Sequence, residues 1–467
     1  MKKIFKEIME ASKLVGGSSI VYSKGKIVER LSYGYSNLEK NKKFTNDTVI
    51  RIASVSKVIV ALCLMKLYEE GKVDLDADIS NYLGFEVKNP KFPDVPITLT
   101  MVLAHTSSIT DGHEIDAGDS KDTGYNKVNG TNSDFMLKDL LHPEGKYYVS
   151  ETYSKYKPGT TYIYSNFGCG IIACVIEKIT GKYFTDFVKE AIFQPLELDA
   201  SFIVTDIKNK DVASIYKHKN GENVLRRTRE DFANNLYKKF PIGENYRGPA
   251  GGCFISSNGL MKLMITLLNG GAPIIKEDTL SKMMQIEWTG KRASGDSTTA
   301  RGLHLGILDY YKGRRLFGHT GDAYGVKTHF YFNKEEQLGM VFMTNGGGFK
   351  YQECGIADMQ EKLIRATLEK YWLPEIAVTF RFNINDNYGY LLNRKIELKS
   401  KVTEEGVYFD KNTIFNTLGI STLYDYSYFD NDQVFYLLDD VLEHFGKKYN
   451  FDVQKSEQSY MISYKFL

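Results

Sequence analysis

Arg51-Ile52-Ala53-Ser54-Val55-Ser56-Lys57-Val58-Ile59-Val60-Ala61-Leu62-Cys63-Leu64-Met65 is the stretch on which the fold reading turns. Val49 to Ala53 reads as a short strand, and from Ser54 to Glu70 apolar residues leave almost no polar face before Gly71 stops the run. A helix that is apolar all round belongs in the middle of a domain. Ser54 stands at its start, and Lys57 follows one turn later on the same face. Serine is a poor nucleophile at neutral pH and needs a base within reach. A lysine among apolar side chains supplies one, because desolvation disfavours its charged form. The amides of a helix start also favour developing negative charge, so the Ser54 N–H is a candidate half of an oxyanion hole. Alone the pair says little, since a serine cap followed by a solvated lysine accounts for most Ser-x-x-Lys matches.

Two further constellations lie downstream in a fixed order. Tyr164-Ser165-Asn166 follows the turn signal Pro158-Gly159 and precedes a helical run from Phe167 to Ile179. A tyrosine beside a cationic lysine is expected to gain acidity and shuttle the serine proton, while an asparagine amide can hold a substrate carbonyl. Gly318-His319-Thr320-Gly321-Asp322 sits at the end of a strand-like run. Glycine there permits close approach to the strand edge, an extended substrate can add to that edge, and an N–H just past Gly321 can complete the oxyanion hole. Each signal has a bland reading as cap, core or bulge; three in this order, each on the element its role needs, are far less probable by accident.

Around these segments the chain reads as helix then hairpin at the start. Apolar residues at helical spacing run from Phe5 to Leu14, Gly16-Gly17 ends them, and two strand-like runs, Ile20-Val21-Tyr22 and Ile27 to Tyr35, follow. Asp74 to about Asp296 is mainly helical, with a second clear helix from Gly259 to Leu268. Then come strand-like runs at Leu303 to Tyr310, Arg315 to His319, Val326 to Phe332 and Leu338 to Thr344, a helical stretch from Ile356 to Tyr371, and a break at Pro374. Strands at both ends with helices between predict one shared antiparallel sheet and a helical insertion beside it: an α+β domain of two lobes with a cleft between them, over residues 1–373. Residues 374–467 form a small α+β accessory domain of uncertain role.

Composition narrows the partners. Sixty Lys plus Arg against 58 Asp plus Glu give a formal charge of +2, which offers no footprint for nucleic acid or anionic lipid. A small-molecule or short-peptide substrate fits better. Cys63, Cys169, Cys174, Cys253 and Cys354 are scattered in apolar runs and read as buried free thiols, with no zinc-ligand spacing. Neither metal nor cofactor is expected. No stretch reaches the roughly 20 apolar residues of a membrane span, and no signal peptide is evident. The expected compartment is the cytoplasm as the sequence stands, with cell-envelope association as the alternative.

The three constellations resemble those of the penicillin-binding protein and class C β-lactamase superfamily, including its D-alanyl-D-alanine carboxypeptidases, D-aminopeptidases and esterases. Arg51-Ile52-Ala53, Leu103-Ala104-His105-Thr106-Ser107-Ser108 and Ala250-Gly251-Gly252 are similar too, so the likeness covers about residues 10 to 373. The resemblance implies the β-lactamase/transpeptidase-like fold and an acyl-enzyme on Ser54. It implies that Lys57 and Tyr164 share the acid/base role, that Asn166 orients substrate, and that His319, Thr320, Gly321 and Asp322 line the substrate-binding strand. β-Lactams are implied as covalent ligands. His105 falls in a segment that looks structural in this family and is read as a packed, hydrogen-bonded histidine outside the site. Two departures shift the substrate. His319 stands where many β-lactamases of the group have lysine, and a histidine is only partly charged at neutral pH, which weakens the hold on an antibiotic carboxylate. Asp322 places a carboxylate suited to a substrate with a free amine. The expectation is a serine hydrolase of small peptides, amides or esters, including those with a D-amino acid. The alternatives are a β-lactamase or penicillin-sensitive carboxypeptidase, and a non-catalytic penicillin-binding or sensor protein. In the tail, Phe435 to Val441 and Gly446 to Asp452 read as helix, glycine turn, strand, similar to repeats of copper amine oxidase N-terminal-like domains; no copper site is implied.

Overall fold

The structure is a computed structural model and describes residues 1–112, 124–129, 131–236, 238–289, 300–308, 315–351, 356–371, 378–391, 394–418, 428–430, 433–449 and 451–464. The chain divides into two compact units, Met1–Ile307 with Phe317–Thr367, and Leu308–Leu316 with Leu368–Leu467. Pro374 and Cys354, both singled out in the sequence, lie outside the described residues.

The first unit opens with helix α1 (Lys2–Ala11), whose Phe5, Ile8 and Met9 form one buried stripe. Hairpin β1 (Gly16–Ser23) and β2 (Lys26–Asn37) follows, then β3 (Lys42–Lys43), β4 (Val49–Arg51) and helix α2 (Ser56–Glu69). Next in the chain come helix α3 (Leu99–Leu103), helix α4 (Asn166–Thr180), the hairpin β5 (Ile215–Lys219) and β6 (Glu222–Arg227), strand β7 (Phe254–Ser256), and helix α5 (Ser257–Leu268). Further along the chain come β8 (Trp288–Thr289), β9 (Ala300–Arg301), β10 (Gly306–Leu308), β11 (Leu316–Ala323), β12 (Val326–Asn333), β13 (Leu338–Thr344) and helix α6 (Asp358–Tyr371).

The N-terminal hairpin and the late meander share one sheet of nine strands, ordered β3-β2-β1-β13-β12-β11-β10-β9-β8. β1 joins β13 antiparallel, with Gly17 opposite Thr344 and Ile20 opposite Val341. Every residue of β12 and β13 is buried, because helices cover both faces. Alternation along β13 assigns the faces: Phe342 packs with Phe5, Met9 and Leu363 of α1 and α6, whereas Gly339 faces α5. A Cβ on Gly339 would lie 2.4 Å from Met264 Sδ, so the glycine lets α5 close onto the sheet. α2 is buried along nearly its whole length, and α4 packs against it in the helical region.

Local differences from the sequence reading have physical causes. Gly16 and Gly17 begin β1 rather than end a helix, because a Cβ on Gly16 would lie 2.3 Å from Tyr35 O on the neighbouring strand. β8 and β9 are two residues each, too short for any alternation to show. β11 continues through His319 to Ala323 instead of ending there, since antiparallel pairing with β12 carries it on. In the second unit, Gln433–Leu437 is a strand and Leu438–Tyr449 a helix that runs through Gly446, the expected turn. A helical glycine costs about 1 kcal/mol, and the burial of Leu438, Val441 and Leu442 in that unit's core offsets it. The same core takes Phe380, Phe382, Tyr460 and Ile462 from a five-stranded sheet.

Candidate active site

The nucleophile candidate sits on a tight turn. Ala53 to Val55 form one 3-10 turn before α2, and Ala53 has φ 49°, a left-handed conformation that costs an L-residue about 1–2 kcal/mol. The turn is held from several sides. Ile52 N donates to Cys253 O (2.9 Å), Thr328 Oγ1 to Ile52 O (2.8 Å), and Ser56 Oγ to Ala53 O (2.7 Å). Gly321 on β11 lies against this turn, and a Cβ there would come 2.4 Å from Ile52 O. The glycine of His319-Thr320-Gly321 is therefore what lets the strand approach Ser54.

Two of the residues picked from the sequence converge on Ser54, and a third holds one of them. Tyr164 OH donates to Ser54 Oγ at 2.8 Å, and Lys57 Nζ lies 3.1 Å from the same oxygen. Lys57 Nζ also donates to Asn166 Oδ1 and Ala250 O, both at 2.8 Å. Burial pushes the Lys57 amine down to about 8. The two carbonyl oxygens only accept, so they take two N–H groups; a neutral amine then has one lone pair left, directed at Ser54. Ser54 can donate to that lone pair while accepting from Tyr164, and every donor and acceptor is matched.

Tyr164 differs from expectation. Its phenol is pushed up rather than down, because complete burial outweighs the hydrogen bond to Ser54 and the nearby Arg301 charge. It is a neutral proton donor. Asn166 is the first residue of α4, and its side chain holds Lys57.

Asp111 was not found from the sequence. Its buried carboxylate accepts from Asn166 Nδ2 (2.7 Å), Phe167 N (2.9 Å) and Ser165 Oγ (3.2 Å). A carboxylate at a helix start complements unpaired amides. Because it only accepts, it also fixes the Asn166 amide with its oxygen toward Lys57. A lone aspartate in a polar loop carries no motif that would reveal this. Asp111→Asn is expected to lower kcat about 10- to 100-fold, the loss of one charged hydrogen bond in the network, with KM little changed. Steady-state kinetics on an ester substrate together with a thermal melt check it.

Behind Tyr164 stand buried rings. His105 packs on the tyrosine with centroids 4.7 Å apart and accepts from Ser165 N through Nδ1 at 3.2 Å; His304 packs on His105 at 4.8 Å. His319 lies 6.1 Å from the Tyr164 ring. Burial holds all three imidazoles well below their ordinary range. His319 is thus neutral and not partly charged as expected. Its Nδ1 meets the Thr320 carbonyl, which only accepts, so that nitrogen carries the proton. Asp322 is also corrected: its carboxylate is ion-paired with Lys327, opposite it on β12, and accepts from Tyr351 OH at 2.7 Å. The charge meant for a substrate amine is already matched. β10 spans three residues and β11 eight, so β10 covers only part of that edge.

Cys63, Cys169, Cys174 and Cys253 are buried free thiols, three of them pushed up by burial and Cys174 well up. They are packing residues.

The Beta-lactamase family model matches residues 1–359. The chain belongs to the beta-lactamase family. The family is one of serine hydrolases. Among curated relatives, this beta-lactamase-family chain is 26% identical over 216 residues to Protein flp of Staphylococcus aureus (strain N315), covering 46% of the chain and 40% of that protein. It is 27% identical over 202 residues to Esterase EstB of Burkholderia gladioli, covering 43% of the chain and 50% of that protein. The match spans half or less of either relative's length. Among solved structures, the octameric penicillin-binding protein homologue from Pyrococcus abyssi aligns with TM-score 0.60 at 20% identity, over 98% of each chain. The D-amino acid amidase from Ochrobactrum anthropi SV3 aligns with TM-score 0.57 at 21% identity, over 78% of this chain and 96% of that one. Both share the fold.

Proposed function

We propose that this serine hydrolase cleaves small peptides, amides or esters, including those with a D-amino acid, through an acyl-enzyme on Ser54. The observation that carries the reading is the double contact on Ser54 Oγ, with Lys57 Nζ at 3.1 Å and Tyr164 OH at 2.8 Å, around a lysine pushed down to about 8.

Neutral Lys57 takes the Ser54 proton as Oγ bonds to the substrate carbonyl carbon. The oxyanion is met by the Ser54 N–H and by an N–H of β11 just past Gly321. As the bond to the leaving group breaks, Tyr164 gives that group its proton and is resupplied by Lys57. Water then attacks the acyl-enzyme and gives up a proton to the same pair, which returns it to Ser54 Oγ as the acyl–Oγ bond breaks. Asn166 holds Lys57, and His319 and Thr320 line the strand edge along which the substrate lies.

Two points favour peptides and esters over β-lactams. A neutral His319 offers no fixed cation to an antibiotic carboxylate. A similar fold also occurs in a D-amino acid amidase, and a similar sequence in an esterase. A panel of D-aminoacyl p-nitroanilides, p-nitrophenyl esters and nitrocefin tests the reading. Anilide or ester turnover exceeding that of nitrocefin is expected. Rapid nitrocefin hydrolysis with neither of the others cleaved would make the chain a β-lactamase instead.

A further inference from the structure

A cavity of about 560 Å³ lies behind the turn that holds Lys57, a size suited to a small-molecule group. Its lining is mixed: Phe184, Phe202, Phe232 and Phe254 form an apolar part beside charged and polar side chains, and no role assigned above uses it. Three residues next to active-site segments also line it. Arg51 stands three residues before Ser54, Gly252 two after the Ala250 carbonyl that holds Lys57, and Tyr324 directly after β11.

Charge on the wall is unbalanced. Arg51, Arg227 and Arg247 line the cavity without an ion pair among the described residues, whereas the other two cations there, Lys238 and Lys239, are paired with Asp134 and Asp186. Arg51 Nε donates to Gly251 O at 2.7 Å, and its guanidinium lies 5.2 Å from the Tyr324 ring. Arg247 is buried over Phe240 and Tyr246, each at 4.6 Å, with Nη2 donating to Ser133 O. The acidic residues on the wall are already engaged. Glu177 accepts from Gly243 N, Phe184 N and Asn245 Nδ2, and Asp206 accepts from Ser201 Oγ.

Direction along β11 says which end of a substrate meets the cavity. His319 is beside Tyr164, the proton donor to the leaving group; Gly321 is against the Ser54 turn; Tyr324, just past the strand's end, lines the cavity. A substrate lying on this edge therefore has its leaving group at the His319 end and its acyl group at the Tyr324 end.

We propose that the cavity receives the acyl group of the substrate, and that this group is an aromatic or branched alkyl body ending in a carboxylate. The proposal rests on the hydrolase reading above. The phenylalanine part of the lining takes the body, and the unmatched guanidinium groups take the anion.

The test keeps the leaving group constant. p-Nitrophenyl acetate, 5-phenylpentanoate and 5-(4-carboxyphenyl)pentanoate are compared by kcat/KM in the wild type, Arg227→Gln and Arg247→Gln. An increase of about tenfold from acetyl to phenylpentanoyl, and a further increase with the carboxylate, is expected. In the variants the ratio of carboxylated to neutral aryl ester is expected to fall toward one, and a ratio does not depend on the fraction of folded enzyme. Arg227, on the rim hairpin, serves if the buried Arg247 variant fails to fold. A flat acyl series, or a ratio unchanged in Arg227→Gln, overturns the proposal. Labelling of Ser54 with a fluorophosphonate in the same preparation separates the two readings: labelling with a flat series sinks the cavity assignment alone, and absence of both labelling and turnover sinks the hydrolase reading with it.

Discussion

Ser54→Ala is expected to lower kcat for every acyl substrate by about 10⁴-fold or more, leaving only what binding and the oxyanion donors provide. The fold should be unaffected. Ser54 is the second residue of the 3-10 turn, and the bonds that hold this turn run through Ile52, Ala53 and Ser56, none of them through the Ser54 hydroxyl. A thermal midpoint close to wild type with turnover lost separates chemistry from folding. Retained turnover would assign the attack to another residue.

Lys57→Met is the second large effect, with an expected loss in kcat of about 10²- to 10⁴-fold, the usual contribution of a positioned base. Methionine keeps length and apolar packing but offers neither a lone pair to Ser54 nor donors to Asn166 and Ala250. The wild type should show a matching pH dependence. Burial lowers the amine to about 8, and the neutral form is the base, so kcat/KM should rise with pH and level off above about 8. Stability follows the same sign. The folded lysine gives up its proton more readily than the unfolded one, whose ordinary value is about 10.4, so the charged form destabilises the fold below about pH 8. That destabilisation is relieved as pH rises from about 8 toward about 10.4. A kcat/KM profile flat from pH 6 to 9 would contradict the assignment of Lys57 as base.

The centre of this site was legible because its chemistry follows short spacings. Ser54 and Lys57 are one helical turn apart on a helix whose apolar surface was evident, and Tyr164 and Asn166 flank a helix start. The sheet was legible from runs of residues such as Val326 to Phe332 and Leu338 to Thr344. What was not legible depends on contacts between distant segments. Asp111 reaches Asn166 across more than fifty residues, and the Ala250 carbonyl reaches Lys57 across nearly two hundred. No local pattern records either. Electrostatics was misjudged for the same reason: Tyr164 and His319 change character through burial, and Asp322 is matched by Lys327 on the next strand. A residue type announces a charge, while its neighbours decide whether that charge exists or is free. The second unit's Gly446 shows the limit in local structure, since one glycine does not end a helix whose apolar face is buried.

Ser54 as the acylated residue is tested most directly by trapping the adduct. The enzyme is exposed to a fluorophosphonate or a slowly deacylating ester, its intact mass is read, and the modified peptide is mapped. One adduct per chain, on the peptide containing Ser54 and absent from Ser54→Ala, is the predicted result. An adduct that survives in Ser54→Ala, or maps to another residue, would contradict it.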